Sequence, residues 1–133
     1  MQKEKTAMAG MLEHVNVTVS DLDRSVALVT DLFGWQVRWR GEAKDGGETA
    51  HVGDHGTYVA LYKHPEQNGA PINSYRTTGG LNHIGVVVKD LDAVEARVTA
   101  AGLTPHLHAD YEPGRRFYFD DHDGTEWEVV SYD

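Results

Sequence analysis

Any metal chemistry in this chain must fall to imidazole and carboxylate groups, because it contains eight histidines and no cysteine. The absence of thiols excludes disulfides and thiolate sites together, and nitrogen and oxygen donors suit the borderline divalent ions. Three such residues stand out by their place in a repeat. The segment His14 to Asp23 (HVNVTVSDLD) aligns with His83 to Asp92 (HIGVVVKDLD) at an offset of 69 residues, with six of ten positions identical. Farther along, Gly56 to Ala60 (GTYVA) aligns with Gly124 to Glu128 (GTEWE) at an offset of 68, which puts Ala60 opposite Glu128. If two copies of one module pair their sheets, equivalent residues become neighbours about a pseudo-twofold axis, and His14 and His83 converge on a shared cavity. Glu128, flanked by the apolar Trp127 and Val129, needs a cation or a proton once buried. Two imidazoles and one carboxylate hold one divalent ion, such as Fe(II), Mn(II), Zn(II) or Ni(II), and leave positions open for a substrate. One histidine at a strand start usually does no more than hydrogen-bond its surroundings. Two at the same register of a repeat, with a flanked glutamate behind them, favour a metal. Glu126 shares the strand face of Glu128 and is the alternative ligand.

These side chains need a scaffold, and the repeat supplies one. Val15, Val17 and Val19 alternate with His14, Asn16 and Thr18, the period of a strand. Ser20 and Asp23 resemble a capping box, Leu22, Val26, Val29 and Leu32 form an apolar helical stripe, and Gly34 suits the left-handed position that ends a helix. In the second copy Leu91, Val94 and Val98 form the stripe and Gly102 ends it. Strand-like runs follow at 35–41, 48–53 and 57–63, and again at 103–109, 115–120 and 125–131. Each module therefore reads βαβββ. The predicted fold is α+β, two tandem modules pairing into a half-open, curved, mixed β-sheet barrel around one metal site. Module one spans 12–64, a linker rich in proline and glycine spans 65–80, and module two spans 81–131, all within one domain; residues 1–11 read as a loose tail. Among the other candidates, His51 and His64 read as exposed imidazoles without function. His106 and His108 are expected to share one strand face. Arg115 and Arg116 suit hairpin solubility or an anionic substrate, and Trp35, Trp39 and Trp127 suit core or cavity wall.

A chain of 133 residues is one domain's worth. Its 40% hydrophobic and 25% charged content is that of a globular protein. The formal charge of −9 disfavours nucleic acid and anionic membrane surfaces as partners. Lys3 and Lys5 are followed by no apolar leader or spanning segment, so the expected location is the cytoplasm.

Together these residues resemble the vicinal oxygen chelate superfamily, which includes glyoxalase I, extradiol dioxygenases, methylmalonyl-CoA epimerase, and fosfomycin and bleomycin resistance proteins. The resemblance covers about residues 12 to 131. It rests on the first-strand pattern at His14, on Asn82, His83 and Ile84 with the following Asp90, Leu91 and Asp92, and on Phe117 to Gly124 (FYFDDHDG) leading to Glu128. It implies His14, His83 and Glu128 as ligands, a small substrate with two adjacent oxygens, and modules that pair within a chain or are exchanged across a homodimer, the homodimer being the expected assembly. Ala60 stands where glyoxalase I and the epimerase place a fourth ligand. Extradiol dioxygenases also use two histidines and one glutamate, and Tyr118, ten residues before Glu128, matches their tyrosine that hydrogen-bonds a substrate oxygen. Their acid–base histidine falls at Thr57, with His55 two residues earlier on the same face. Another falls at Ala109, beside His108, which fits only with a bulge. The resemblance thus makes Tyr118, His55 and His108 the catalytic candidates. It favours a ring-cleaving dioxygenase, since three protein ligands leave three octahedral positions, over a lyase, an isomerase or a fosfomycin-resistance-like transferase. A non-catalytic small-molecule binding protein is the alternative from another class.

Overall fold

The computed structural model describes residues 9–67, 69, 72–111 and 114–133. Of the loose tail expected over residues 1–11, residues 1–8 lie outside the described residues. The first module runs β1 (His14–Thr18), α1 (Leu22–Phe33), β2 (Gln36–Glu42), β3 (Glu48–Gly53) and β4 (Tyr58–Lys63). The second runs β5 (Ile84–Val87), α2 (Leu91–Ala100), β6 (His106–Tyr111), β7 (Gly114–Asp120) and β8 (Glu126–Ser131). Each folds into a four-stranded mixed sheet, in the orders β1-β4-β3-β2 and β5-β8-β7-β6. The first strand of each is parallel to the last and the other pairs are antiparallel. The predicted βαβββ repeat is therefore present, neither sheet closes on itself, and β1 and β5 occupy equivalent edges.

Both helices start on an aspartate that the repeat shares. Asp21 accepts from the Arg24 amide at 3.1 Å, and Asp90 accepts from the Ala93 amide at 3.0 Å. The expected cap at Ser20 is thus displaced by one residue, because Asp21 has the extended backbone that aims its carboxylate at the first turn. Gly34 takes the left-handed conformation (φ 68°) that ends α1.

The helices cover one face of the sheets. Val17, Val52, Val59 and Leu61 pack with Val29 and Leu32, and Val86, Phe117, Phe119, Trp127 and Val129 pack with Leu91, Val94 and Val98 in the same continuous core. Trp127 joins the two modules, 1% exposed with Phe33 and Trp35 at centroid distances of 5.6 and 6.3 Å. Polar links reinforce that seam. The Ser20 amide donates to Asp123 at 3.0 Å, and the Arg97 guanidinium donates to the Leu32 carbonyl at 3.1 and 3.2 Å. Since strand side chains alternate, the face opposite the helices carries His14, His51 and Tyr58 in the first sheet and Arg116, Tyr118, Glu126 and Glu128 in the second.

Two bulges decide which residues reach that face. In β2 the register shifts between Val37 and Trp39, so the consecutive residues Arg38 and Trp39 both meet rings of the first sheet's open face. In β6 it shifts between His106 and Ala109, with Leu107 at φ 53°. His106 and His108 were expected on one strand face, and the bulge separates them. His106 turns toward Tyr118, while His108 hydrogen-bonds Glu95 of α2 at 2.8 Å and lies against the buried Phe117.

Candidate metal centre

His14 and His83 are held in the same way. Each stands at the start of its module's first strand, and each has its Nδ1 engaged by the side chain just before it. Glu13 Oε1 lies 3.0 Å from His14 Nδ1, and Asn82 Oδ1 lies 2.7 Å from His83 Nδ1. Both partners accept through oxygen, so Nδ1 donates in each ring; the Nε2 of His14 then keeps its lone pair, and that of His83 becomes available where an ion replaces its hydrogen bond to Glu128. The hydrogen bond to His14 is the first cause that holds the Glu13 carboxyl below its usual range, followed by one from the Tyr58 hydroxyl at 3.2 Å. Glu13, an acceptor from two donors, is therefore a carboxylate and fixes His14 firmly.

On the second sheet His83 Nε2 meets Glu128 Oε1 at 3.2 Å. The other carboxylate oxygen accepts from Arg116 Nη1 at 2.8 Å, and both side chains of that ion pair are nearly buried, 13% and 14% exposed. Register explains the meeting: Gly85 and Tyr118 flank Glu128 on the neighbouring strands, and Gly85 leaves open space beside Oε1. Arg116 shares a strand face with Tyr118 and so points at this carboxylate rather than serving hairpin solubility. Sequence reasoning missed it, although its alternation with Tyr118 carried the signal. Tyr118 itself stands with its ring 5.6 Å from that of His83 and 6.5 Å from that of His106. The Nε2 of His106 is buried, 3.8 Å from Asp120 Oδ1, and among the described residues it has no hydrogen-bond partner.

His14 and His83 border one cavity of about 380 Å³, together with Leu12, Trp35, Tyr58 and Leu81. Among the described residues of one chain, no three His, Asp or Glu side chains close on a common point. His83 and Glu128 meet, and His14 borders the cavity with Glu13 and Tyr58. The chemistry of the donors, two imidazoles with secured Nδ1 atoms and one carboxylate with an oxygen free of Arg116, fits a divalent ion. Glu126 does not face the pair in the same way, since its carboxylate is taken by the Tyr75 hydroxyl.

The remaining candidates lie elsewhere. His55 sits fully exposed in the turn between β3 and β4, 3.8 Å from Asp54, and His108 is on the helix-facing side of the second sheet. His64 pairs with Asp45 at 2.8 Å. His51, expected to be an exposed imidazole, is instead half-buried on the site face, where burial first and then His14 and Arg38 push its pKa below the ordinary value. Trp35 lines the cavity and Trp127 belongs to the core, as expected, whereas Trp39 stands half exposed beside His51.

The sequence model of one family, the Glyoxalase/Bleomycin resistance protein/Dioxygenase superfamily, matches residues 11–129. No curated protein matches the chain. Among solved structures, a glyoxylase/bleomycin resistance protein/dioxygenase domain from Frankia sp. EAN1pec is 26% identical over 92% of each chain, with a TM-score of 0.79. The fosfomycin resistance protein FosX from Listeria monocytogenes, solved with Mn(II) and sulfate, is 19% identical over 93% of each chain, with a TM-score of 0.69. Glyoxalase I from Leishmania major is 19% identical over 93% of this chain and 88% of its own, with a TM-score of 0.72.

Proposed function

Because the chain belongs to the glyoxalase/bleomycin resistance protein/dioxygenase superfamily, we propose that it is a divalent-metal-dependent enzyme acting on a small substrate with two adjacent oxygens, its ion held by His14, His83 and Glu128. The observation that carries this reading is the matched preparation of the two histidines, Glu13 behind one and Asn82 behind the other, beside a nearly buried carboxylate. A bound divalent ion supplies Lewis acidity, lowering the pKa of the substrate oxygens and fixing their position. The protein's own groups do the rest. Arg116 holds Glu128 in place, Tyr118 hydrogen-bonds a substrate oxygen, and Trp35, Leu12 and Leu81 give the cavity an apolar lining. For proton transfer His106 replaces His108 and His55, because its ring lies beside Tyr118 on the site face, with Asp120 3.8 Å from its Nε2.

Within one chain His14 does not close on the His83–Glu128 pair, so the ion is shared between two copies, His14 from one and His83 with Glu128 from the other. The exposed apolar residues Met11 and Leu12, just before the edge strand β1, and Val87, the last residue of the edge strand β5, are the surface such an assembly covers. Mixing a His14→Ala chain with a Glu128→Ala chain tests the exchange. Neither alone should bind metal, and the mixed dimer should recover one intact site. No recovery in a proven mixed dimer removes the exchange.

Metal analysis of protein purified without chelator, followed by Mn(II), Fe(II), Zn(II) and Ni(II) titration, tests the ligand set. Alanine at each of His14, His83 and Glu128 should abolish binding, and unchanged metal content would sink the proposal. Oxygen uptake with a panel of catechols then separates ring cleavage, the favoured reaction, from lyase or isomerase chemistry. A second reading, a binding protein without catalysis, is favoured by Arg116, which already supplies Glu128 with a countercharge. Tight stoichiometric ligand binding by the metal-free protein, with no turnover after metal loading, would establish it.

A further inference from the structure

On the site face of the first sheet His14 is one of a cluster of rings, and the others are not among the groups proposed to hold the ion. His14, His51 and Tyr58 lie nearly parallel, with interplanar angles of 12°, 16° and 23° and the closest centroids 4.5 and 4.8 Å apart. Trp39 adjoins His51 at 5.2 Å and remains 50% exposed. The guanidinium of Arg38 sits 4.7 Å over the Tyr58 ring. Among the described residues Arg38 has no ion-pair partner, in a chain whose formal charge is −9. The nearby Glu13 is already engaged by His14 and Tyr58. The bulge in β2 makes this arrangement, since without it Arg38 and Trp39 would point to opposite faces. His14 and Tyr58 carry the ring surface to the wall of the cavity that His83 also borders.

We infer that this ring cluster is an aryl-binding wall, and that Arg38 above it receives an acidic group, so the substrate is a planar aromatic acid. The inference deepens the proposed metal-dependent function and rests on it for the fate of the ligand, but not for its binding. Stacked rings reward a flat π-system over a saturated one, and a guanidinium held over the Tyr58 ring adds an attraction for an anion that a neutral ring lacks. A chain with this wall discriminates by flatness and by charge at once.

Salicylate is a suitable probe, compared with cyclohexanecarboxylate, which keeps the charge, and with phenol, which keeps the ring. Full-length protein freed of metal with chelator is titrated with each, reading Trp fluorescence and, independently, calorimetric heat. Salicylate should bind at least about fivefold more tightly than either analogue, the size expected for one aromatic contact or one cation–π contact. Trp39→Leu and Arg38→Gln, both changes at the surface, should each reduce salicylate affinity by about five- to tenfold while leaving circular dichroism and metal content at the wild-type level. Equal affinity for salicylate and cyclohexanecarboxylate, or salicylate binding unmoved in both variants, overturns the inference. Failure of the metal reading looks different. The protein would then hold no ion yet still select salicylate, whereas failure of the aryl wall leaves ion binding intact and the selection absent.

Discussion

Replacing Arg116 with methionine separates the two countercharges that Glu128 can have. The pair is close, 2.8 Å between Nη1 and Oε2, and nearly buried. Two unit charges about 4 Å apart attract by about 4 kcal/mol at an effective dielectric of about 20. Removing one partner of a buried pair costs about 3–5 kcal/mol, because the other is left uncompensated. Both groups keep some water contact here, so the lower end applies, about 3 kcal/mol for the chelator-treated protein. In a domain of this size that is a fall in Tm of roughly 10 °C. Saturating Mn(II) changes the account, since an ion at Glu128 replaces the missing guanidinium, and the same substitution should then cost only about 1 kcal/mol. The difference of about 2 kcal/mol must reappear as Mn(II) affinity, roughly thirty-fold tighter in the variant. Urea unfolding of both proteins with chelator and with Mn(II), closed by a direct Mn(II) titration, measures every side of this cycle. An equal loss of stability in the two conditions, with unchanged affinity, would refute the placement of the ion at Glu128.

The other predictions follow from the same contacts. Glu13→Leu and Asn82→Leu each free an imidazole to rotate and exchange tautomers, and each should weaken metal binding by about 10- to 100-fold with little change in fold, as read by calorimetry. His106→Gln should lower kcat by about a hundredfold or more while leaving metal content and KM near wild type, and a wild-type kcat would remove His106 from proton transfer. His64 titrates above its ordinary 6.5 because Asp45 accepts its hydrogen bond. A raised folded pKa stabilises the protein fully below the unfolded value, and the contribution fades as pH rises through the folded value. Asp45→Asn should thus lower the urea midpoint at about pH 5.5 but not at about pH 8, and should bring the His64 NMR titration down to its ordinary position.

Much of the scaffold is legible in the sequence because it is written twice. Alternating valines, a shared aspartate at each helix start and a glycine after α1 are local signals, and the structure turns each into the element it announces. The pairing of His83 with Glu128 is legible for the same reason, since the repeat and the period of two place both on one face. What escapes is whatever depends on a single inserted residue or on a neighbouring strand. The β6 bulge sends His108 to the helix side, and no periodicity announces it. The β2 bulge brings Arg38 and Trp39 together, and His51 acquires its ring partners only through β4 and β2. Glu13 and Asn82 were visible beside their histidines at equivalent positions, but an oxygen acceptor before a histidine means nothing until the ring is seen turned toward it.

Ala60 and Glu128 occupy the same position in the two copies, and the difference between them has its own consequence. Ala60 is 1% exposed and offers no charge, whereas Glu128 brings Arg116 and His83 around it. A duplicated protein with matched walls would accept a guest in either of two orientations related by its internal twofold. Here the walls are unlike, so the two orientations are no longer equivalent and a guest is presented in one of them. The direction in which a guest lies is thus set by one side chain that the second copy has and the first lacks, and restoring a carboxylate with Ala60→Glu is the shortest route to losing it.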